Sequence, residues 1–221
     1  LRDAGFDLWP GEILGIAGLQ GMGQQELFHA CFGLEHLKAG TIKVDGRPVT
    51  LASPQDAIRS NIGISLVPEE RKTEGLFLKR DGCFNVSLPV LDRFSHAGFV
   101  DRKAEEAAVA RVLDQVEVHP RALYTRAGAF SGGNQQKIVI GKWLNHGADL
   151  FIFDEPTVGV DVGTKAEIYK LMAVLLRNGA GIILISSYLP EVYDLGDTLH
   201  DFHGCFAGVT LDEQHKLAED H

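Results

Sequence analysis

The chain has 221 residues, 45% hydrophobic and 23% charged, with a formal net charge of −9 at pH 7. This length supports one large domain with a real core, and the composition is that of an ordinary globular protein. The acidic balance and the lack of any Lys/Arg block argue against a general binder of nucleic acid or anionic membrane. Cys31, Cys83 and Cys205 lie far apart, odd in number and without metal-type spacing, which points to a reducing compartment and no disulfide framework. No H-E-x-x-H or His/Cys cluster suggests a zinc site. Neither a signal-peptide pattern nor an apolar run of membrane-spanning length is present.

In chain order, Phe6 and Leu8 alternate with polar residues before Pro10-Gly11, so Leu1 is expected to fall inside an edge strand of a longer protein. "EILGIAG" reads as a short apolar strand, and "QQELFHACFG" as a helix closed by Gly33. "TIKVDGRPVT" is a hairpin pair around Asp45-Gly46. "IGISLVP", "DLFIFDEP" and "GIILISS" are buried strands, with a helix at Gly163 to Arg177 between the last two. Buried strands alternating with helices predict an α/β domain with a mostly parallel sheet. Between about 79 and 128 strand signals fade. There "DRKAEEAAVARVLDQVEV" predicts an amphipathic helix capped by Asp101, with Ala104, Ala108, Val112, Leu113 and Val116 on its apolar face. This stretch reads as a helical subdomain inserted into the α/β core.

Three segments carry chemistry. "GLQGMGQQELF" has the glycine frame of G-x-x-x-x-G-K-[ST] in Gly18, Gly21 and Gly23, but Gln24 stands at the Lys position and Gln25 at the Ser/Thr position. Alone, such a loop is read equally well as a close-packed turn. Its place between a strand and a helix N-terminus favours a phosphate. "LFIFDEPT" delivers Asp154 and Glu155 to the C-terminal edge of a buried strand, where open α/β sheets bind ligands. In nucleotide hydrolases of this type the Asp holds Mg²⁺ and the Glu can act as general base. Two solvated acids would leave Pro156, Thr157 and Asp161 unexplained. "FSGGNQQKIVIGKWL" opens a helix with small residues, Ser131, Gly132 and Gly133, and its apolar face includes Ile138, Val139 and Leu144. Free N–H groups there form an anion site. An N-cap explains Ser131 but not two glycines followed by Asn-Gln-Gln-Lys.

Taken in order, "SGGNQQK", "FDEPTVGVD" and "ISSYLPEV" after a glycine loop resemble the nucleotide-binding domain of ABC transporters. "GEILGIAGLQGMGQQEL", "VPEERKTEGL" and "FSGGNQQKIVIGKWL" resemble, more narrowly, the C-terminal nucleotide-binding domain of the fused ATPase subunit of bacterial monosaccharide importers of the ribose/galactose/xylose type. The resemblance covers about Leu1 to Gly204. It implies a P-loop core with an antiparallel β subdomain and an inserted helical subdomain. It also implies ATP and Mg²⁺ as cofactors. Gly18, Gly21, Gly23, Gln24 and Gln25 would form the phosphate loop. Glu69 takes the place of the Q-loop glutamine, Ser131, Gly132, Gly133 and Asn134 form the signature, and Asp154 is the metal ligand. Glu155 is the candidate base, Asp161 lies on the D-loop at the dimer seam, and Ser187 falls at the switch-histidine position.

The resemblance further implies a second nucleotide-binding domain as partner, in the same polypeptide or in a homodimer of the fused subunit. Membrane permease subunits and, indirectly, a periplasmic sugar-binding protein complete the assembly, with no nucleic acid involved. Such a translocase subunit is peripheral at the cytoplasmic face of the inner membrane, and Lys79 to Leu91 would meet the permease. The phosphate-loop half is expected to be impaired. A unit charge pair at about 3 Å and an effective dielectric of about 20 contributes about 5 kcal/mol before desolvation, and Gln24 cannot supply it. The signature half is expected to complete a partner's site. The competing readings are a non-hydrolysing structural or regulatory module and a soluble ABC ATPase acting on nucleic acid or ribosomes.

Overall fold

The computed structural model describes residues 5–17, 23–59, 62–201 and 208–210, the last segment and 198–201 as backbone only. The strands in chain order are β1 (Ile13–Ala17), β2 (Ile42–Val44), β3 (Arg47–Val49), β4 (Ile64–Val67), β5 (Ser95–His96), β6 (Phe99–Val100), β7 (Leu150–Asp154), β8 (Gly181–Ser186), β9 (Thr198–Asp201) and β10 (Gly208–Thr210). The α-helices are α1 (Gln24–Cys31), α2 (Pro54–Ala57), α3 (Gly82–Ser87), α4 (Arg102–Gln115), α5 (Gly132–His146), α6 (Val162–Arg177) and α7 (Leu189–Leu195). The chain divides into two compact units, 1–66 with 149–155 and 172–221, and 67–148 with 156–171.

The first unit is organised by a six-stranded sheet in the order β10-β9-β1-β8-β7-β4. β9, β1, β8 and β7 pair in parallel, and β10 is antiparallel to β9. β1, β4 and β8 are buried at every residue, and β7 at all but Leu150. Their near-continuous Ile/Leu/Val/Phe runs follow from burial on both faces, since neither face can be left polar. Apart from this sheet, β2 and β3 form an antiparallel hairpin. Its turn residues Asp45 (φ 51) and Gly46 (φ 71) are both left-handed, the geometry that matches strand twist in a two-residue turn. α1 ends before Gly33, whose φ is 76 and where a Cβ would lie 2.5 Å from the Ser53 carbonyl oxygen. Only glycine fits both the conformation and the space.

The N-terminal expectation is corrected in part. Residues 5–9 form no strand, although Phe6 and Leu8 are half-buried between exposed neighbours. Phe6 lies 5.9 Å, ring to ring, from buried Phe28 of α1, so packing of alternate side chains produces the pattern without a strand ladder. Leu1 lies outside the described residues. Cys31 and Cys83 are buried free thiols, and burial pushes them up to about 11 and about 12.

The second unit is mainly helical and contains the 79–128 stretch. A short ribbon, β5 with β6, interrupts that stretch. Ala97 (φ 51) and Gly98 (φ 83) make its turn, and two-residue strands leave too little alternation to read in sequence. Asp101 caps α4, its Oδ1 accepting the N–H groups of Lys103 and Ala104, both at 3.1 Å. Asp101→Ala should therefore lower stability by about 1 kcal/mol in denaturant unfolding. The helix face differs from the apolar pattern: Ala104 is exposed, whereas Glu105 and Val109 are buried beside Val112 and Leu113. Glu105 is tolerated inside because Ser87 Oγ donates to Oε1 at 2.6 Å and Arg102 Nη1 to Oε2 at 3.0 Å.

Candidate functional site

Within the first unit, the parallel sheet brings the ends of β7 and β8 side by side with the start of α1. Gly23 caps α1 in a left-handed conformation, φ 98 and ψ 2, with no side-chain cap. Gly18 and Gly21 lie outside the described residues. Gln24 is buried and Gln25 exposed. Gln25 Nε2 donates to Asp154 Oδ2 at 3.4 Å, so the residue at the Ser/Thr position reaches the first acid of the pair. Asp154 is 5% exposed at the end of β7. Glu155 follows with φ 46, an uncommon conformation for a residue with a Cβ. Two contacts hold it there. Its N–H donates to the Ile185 carbonyl at 3.0 Å, and its Oε1 accepts the Ser187 N–H at 2.6 Å. Ser187 is thus brought to Glu155 through its backbone, just beyond β8. Among the described residues no group of three or more His, Cys, Asp or Glu could hold a metal ion.

Within the second unit, Ser131 caps α5, its exposed hydroxyl accepting the Asn134 N–H at 3.4 Å. Gly132 and Gly133 then pack against the turn that follows β7. A Cβ on Gly132 would stand 2.9 Å from the Gly159 carbonyl oxygen and 2.7 Å from Arg71 Nη2. A Cβ on Gly133 would stand 2.5 Å from Thr164 Oγ1. Asp161 is exposed, and its carboxylate accepts the Thr164 N–H at 3.0 Å and the Thr164 hydroxyl at 2.8 Å. The backbone N–H, and then the hydroxyl, hold the Asp161 carboxyl below the usual carboxylate range. The structure therefore brings Gly133 together with Asp161 through Thr164, and Gly132 next to Gly159. Glu69 is half-buried, two residues before a single π-turn at Arg71–Gly75.

The residues after the small ones have a different use. Gln135 Nε2 donates to the carbonyls of Ala127 (3.3 Å) and Phe130 (3.1 Å), tying α5 to the segment before it. Lys137 Nζ donates to the Glu117 carbonyl and to Glu167 Oε2, both at 2.9 Å. "NQQK" thus contains buried structural anchors.

Sequence reasoning missed Arg71, whose guanidinium donates to the carbonyls of Val158 (Nη1, 3.0 Å) and Gly159 (Nη2, 3.4 Å). Its partners lie 87 and 88 positions away, and no local pattern signals such a contact. Lys142 was also missed. It donates to the Gly75 carbonyl at 2.8 Å, and burial pushes its ammonium down to about 8. It lines a cavity of about 120 Å³ together with Thr73, Glu74, Phe77, Asn85 and Leu88.

The chain is 45% identical over 198 residues to the ribose import ATP-binding protein RbsA of Lacticaseibacillus paracasei, a match covering 90% of this chain and 39% of that protein. It is 42% identical over 209 residues to the ribose import ATP-binding protein RbsA of Lactococcus lactis, covering 94% and 42%. The chain thus spans about two fifths of the length of these curated relatives. Among solved structures, a nucleotide-free ATP-binding cassette from an ABC transporter superposes with a TM-score of 0.81 at 18% identity, over 98% of this chain and 87% of that one. A dimeric bacterial ABC transporter cassette gives 0.78 at 18% identity, over 93% and 88%. At such identities these matches establish the fold. The ABC transporter family model matches residues 1–158, and the chain belongs to the ABC transporter family.

Proposed function

We propose that this chain is one of two nucleotide-binding domains in the ATP-driven motor of a sugar importer, and that it contributes chiefly the signature half of a partner domain's active site. The ribose-import relatives supply the sugar-import part of this reading. The observation that carries the rest is the contrast between the two halves. Around Ser131, Gly132 and Gly133 the backbone start of α5 is capped and closely packed against the Asp161 turn. Around Gln24 and Gln25, the cation and hydroxyl that handle phosphate and metal are missing.

The acids of the weaker half are occupied by N–H donors. Asp154 accepts from the Gln25 amide, and Glu155 from the Ser187 backbone. Gln25 turns its Nε2, not its amide oxygen, toward Asp154, an orientation that does not suit Mg²⁺ between them, so no metal-dependent step is assigned to this half. Ser187 has no imidazole to reach a γ-phosphate, and Glu155 is idle as a base without an activated phosphate beside it. What remains for Gly18, Gly21 and Gly23 is weak nucleotide binding through backbone N–H groups. Titration of the isolated chain with a fluorescent ATP analogue should show weak binding that chelation by EDTA barely changes. Tight, Mg²⁺-dependent binding would overturn this reading.

The domain sits at the cytoplasmic face of the membrane and docks on permease subunits. No helix among the described residues is long and apolar enough to cross a membrane. The docking face is the cavity of the second unit, next to the 79–91 stretch, where Phe77 is 56% exposed and Leu88 37%. Exposed large apolar side chains around a concave site are what a partner helix would cover. Opening and closing of the paired domains on ATP binding and hydrolysis would then be passed to the permease.

A further inference from the structure

We propose that Arg71 is a positioning residue, a two-pronged clamp that holds the Val158-Gly159 carbonyls against the start of α5 and so fixes the signature relative to the Asp161 turn. The proposal rests on the function given above, in which this seam completes a partner's site. It adds a residue outside the motifs.

The geometry is that of a fork on two adjacent carbonyls. Nη1 takes Val158 O at 3.0 Å and Nη2 takes Gly159 O at 3.4 Å. The same Nη2 closes the space above Gly132, since a Cβ added there would meet it at 2.7 Å and Gly159 O at 2.9 Å. Gly159 is constrained by conformation instead: its φ is 69, whereas a Cβ there would make only ordinary contact with Nη2 at 3.4 Å. Three separate pieces of backbone therefore converge on one guanidinium: the π-turn that carries it, the turn after β7, and the first residue of α5. Arg71 Nε is buried without a hydrogen-bond partner. Leaving that donor unsatisfied costs free energy, which the two charge-assisted bonds offset. A planar, always-charged fork suits paired carbonyls, and an ammonium at the same place engages one at a time. The π-turn it stands on, Arg71–Gly75, also forms part of the wall of the cavity at Thr73 to Phe77.

The test uses the complete transporter assembly. Misplacing a reacting constellation by a fraction of an ångström costs rate, so Arg71→Gln should lower kcat for ATP by about tenfold. The nucleotide is held in the ground state by the partner's own phosphate loop, so KM should stay within about twofold. Arg71→Lys should lose kcat to about the same extent, because the charge is kept and the fork is not. Thermal midpoints of both variants should stay within about 2 °C of the parent. Full activity in Arg71→Lys with loss in Arg71→Gln would show that charge alone matters and would overturn the clamp. Unchanged kcat in both would do the same, as would a loss that follows a fall in midpoint. Ser131→Arg, run in parallel, separates the two claims. If Ser131→Arg retains turnover, the signature reading fails; if it abolishes turnover while the Arg71 variants keep theirs, only the clamp fails.

Discussion

Ser131→Arg is expected to bring ATP turnover by the complete assembly to background, while Glu155→Gln costs no more than a few-fold. Ser131 is exposed at the N-cap of α5, and its hydroxyl accepts the Asn134 N–H. Arginine removes that acceptor and sets a long cation at the exposed N-cap of α5. Loss of one pre-aimed donor to a developing anion typically costs roughly 10²- to 10³-fold, and an occluding side chain removes several at once. The folding cost is only that of a lost cap, about 1 kcal/mol, so the variant should remain assembled and its thermal midpoint can verify this. Glu155→Gln keeps an oxygen to accept the Ser187 N–H, and it alters a half that already lacks a lysine, a hydroxyl and a histidine. Equal losses in the two variants would refute the division of labour, and so would retained turnover in Ser131→Arg.

Gly133→Ala should destabilise the second unit although alanine is the better helix former. The added methyl would stand 2.5 Å from Thr164 Oγ1, 2.7 Å from its Cγ2 and 3.0 Å from its Cβ. Thr164 cannot swing away cheaply, because Asp161 holds both its N–H and its hydroxyl. Overpacking of this kind costs about 1–3 kcal/mol, more than the gain in helix propensity of up to about 1 kcal/mol. Thr164→Ala removes two of the three clashing atoms, so the double variant should be more stable than the sum of the single effects predicts. Urea unfolding of the four proteins measures the coupling, and strictly additive effects would mean that the clash does not set the cost.

Much of the fold was legible because its signals are local. Apolar runs at 13–17, 150–154 and 181–186 are strand-sized, rich in Ile, Leu and Phe and bounded by turn residues, so they read as buried strands. Asp45-Gly46 and Asp101 announce a turn and a cap by residue type alone. The family, too, was readable from short ordered motifs, and the match over residues 1–158 agrees with it. What could not be read depends on distant partners. Glu105 looks like a surface residue until Ser87, 18 positions earlier, is placed against it. Ala104 looked like core because apolarity was the only cue, and a helix face is decided by what packs on it. Arg71 stood in a charged stretch, "EERK", that reads as a solvated loop. Gln135 and Lys137 sat inside the signature segment, where motif and scaffold share consecutive letters, and only burial separates them.

The seam between α5 and the turn after β7 is made largely by omission: Gly132 and Gly133 each leave room that a neighbour fills, and Gly159 supplies a left-handed turn, φ 69. At the glycines themselves such a surface is fragile toward gain of atoms and has none to lose. An alanine scan, which looks for importance by trimming side chains, has nothing to trim at these positions and adds bulk instead. The informative scan therefore enlarges side chains around the seam and follows where tolerance ends. Variation among natural relatives should follow the same asymmetry, with size limits at Gly132 and Gly133, a conformational limit at Gly159, and freedom of chemistry at the exposed positions next to them.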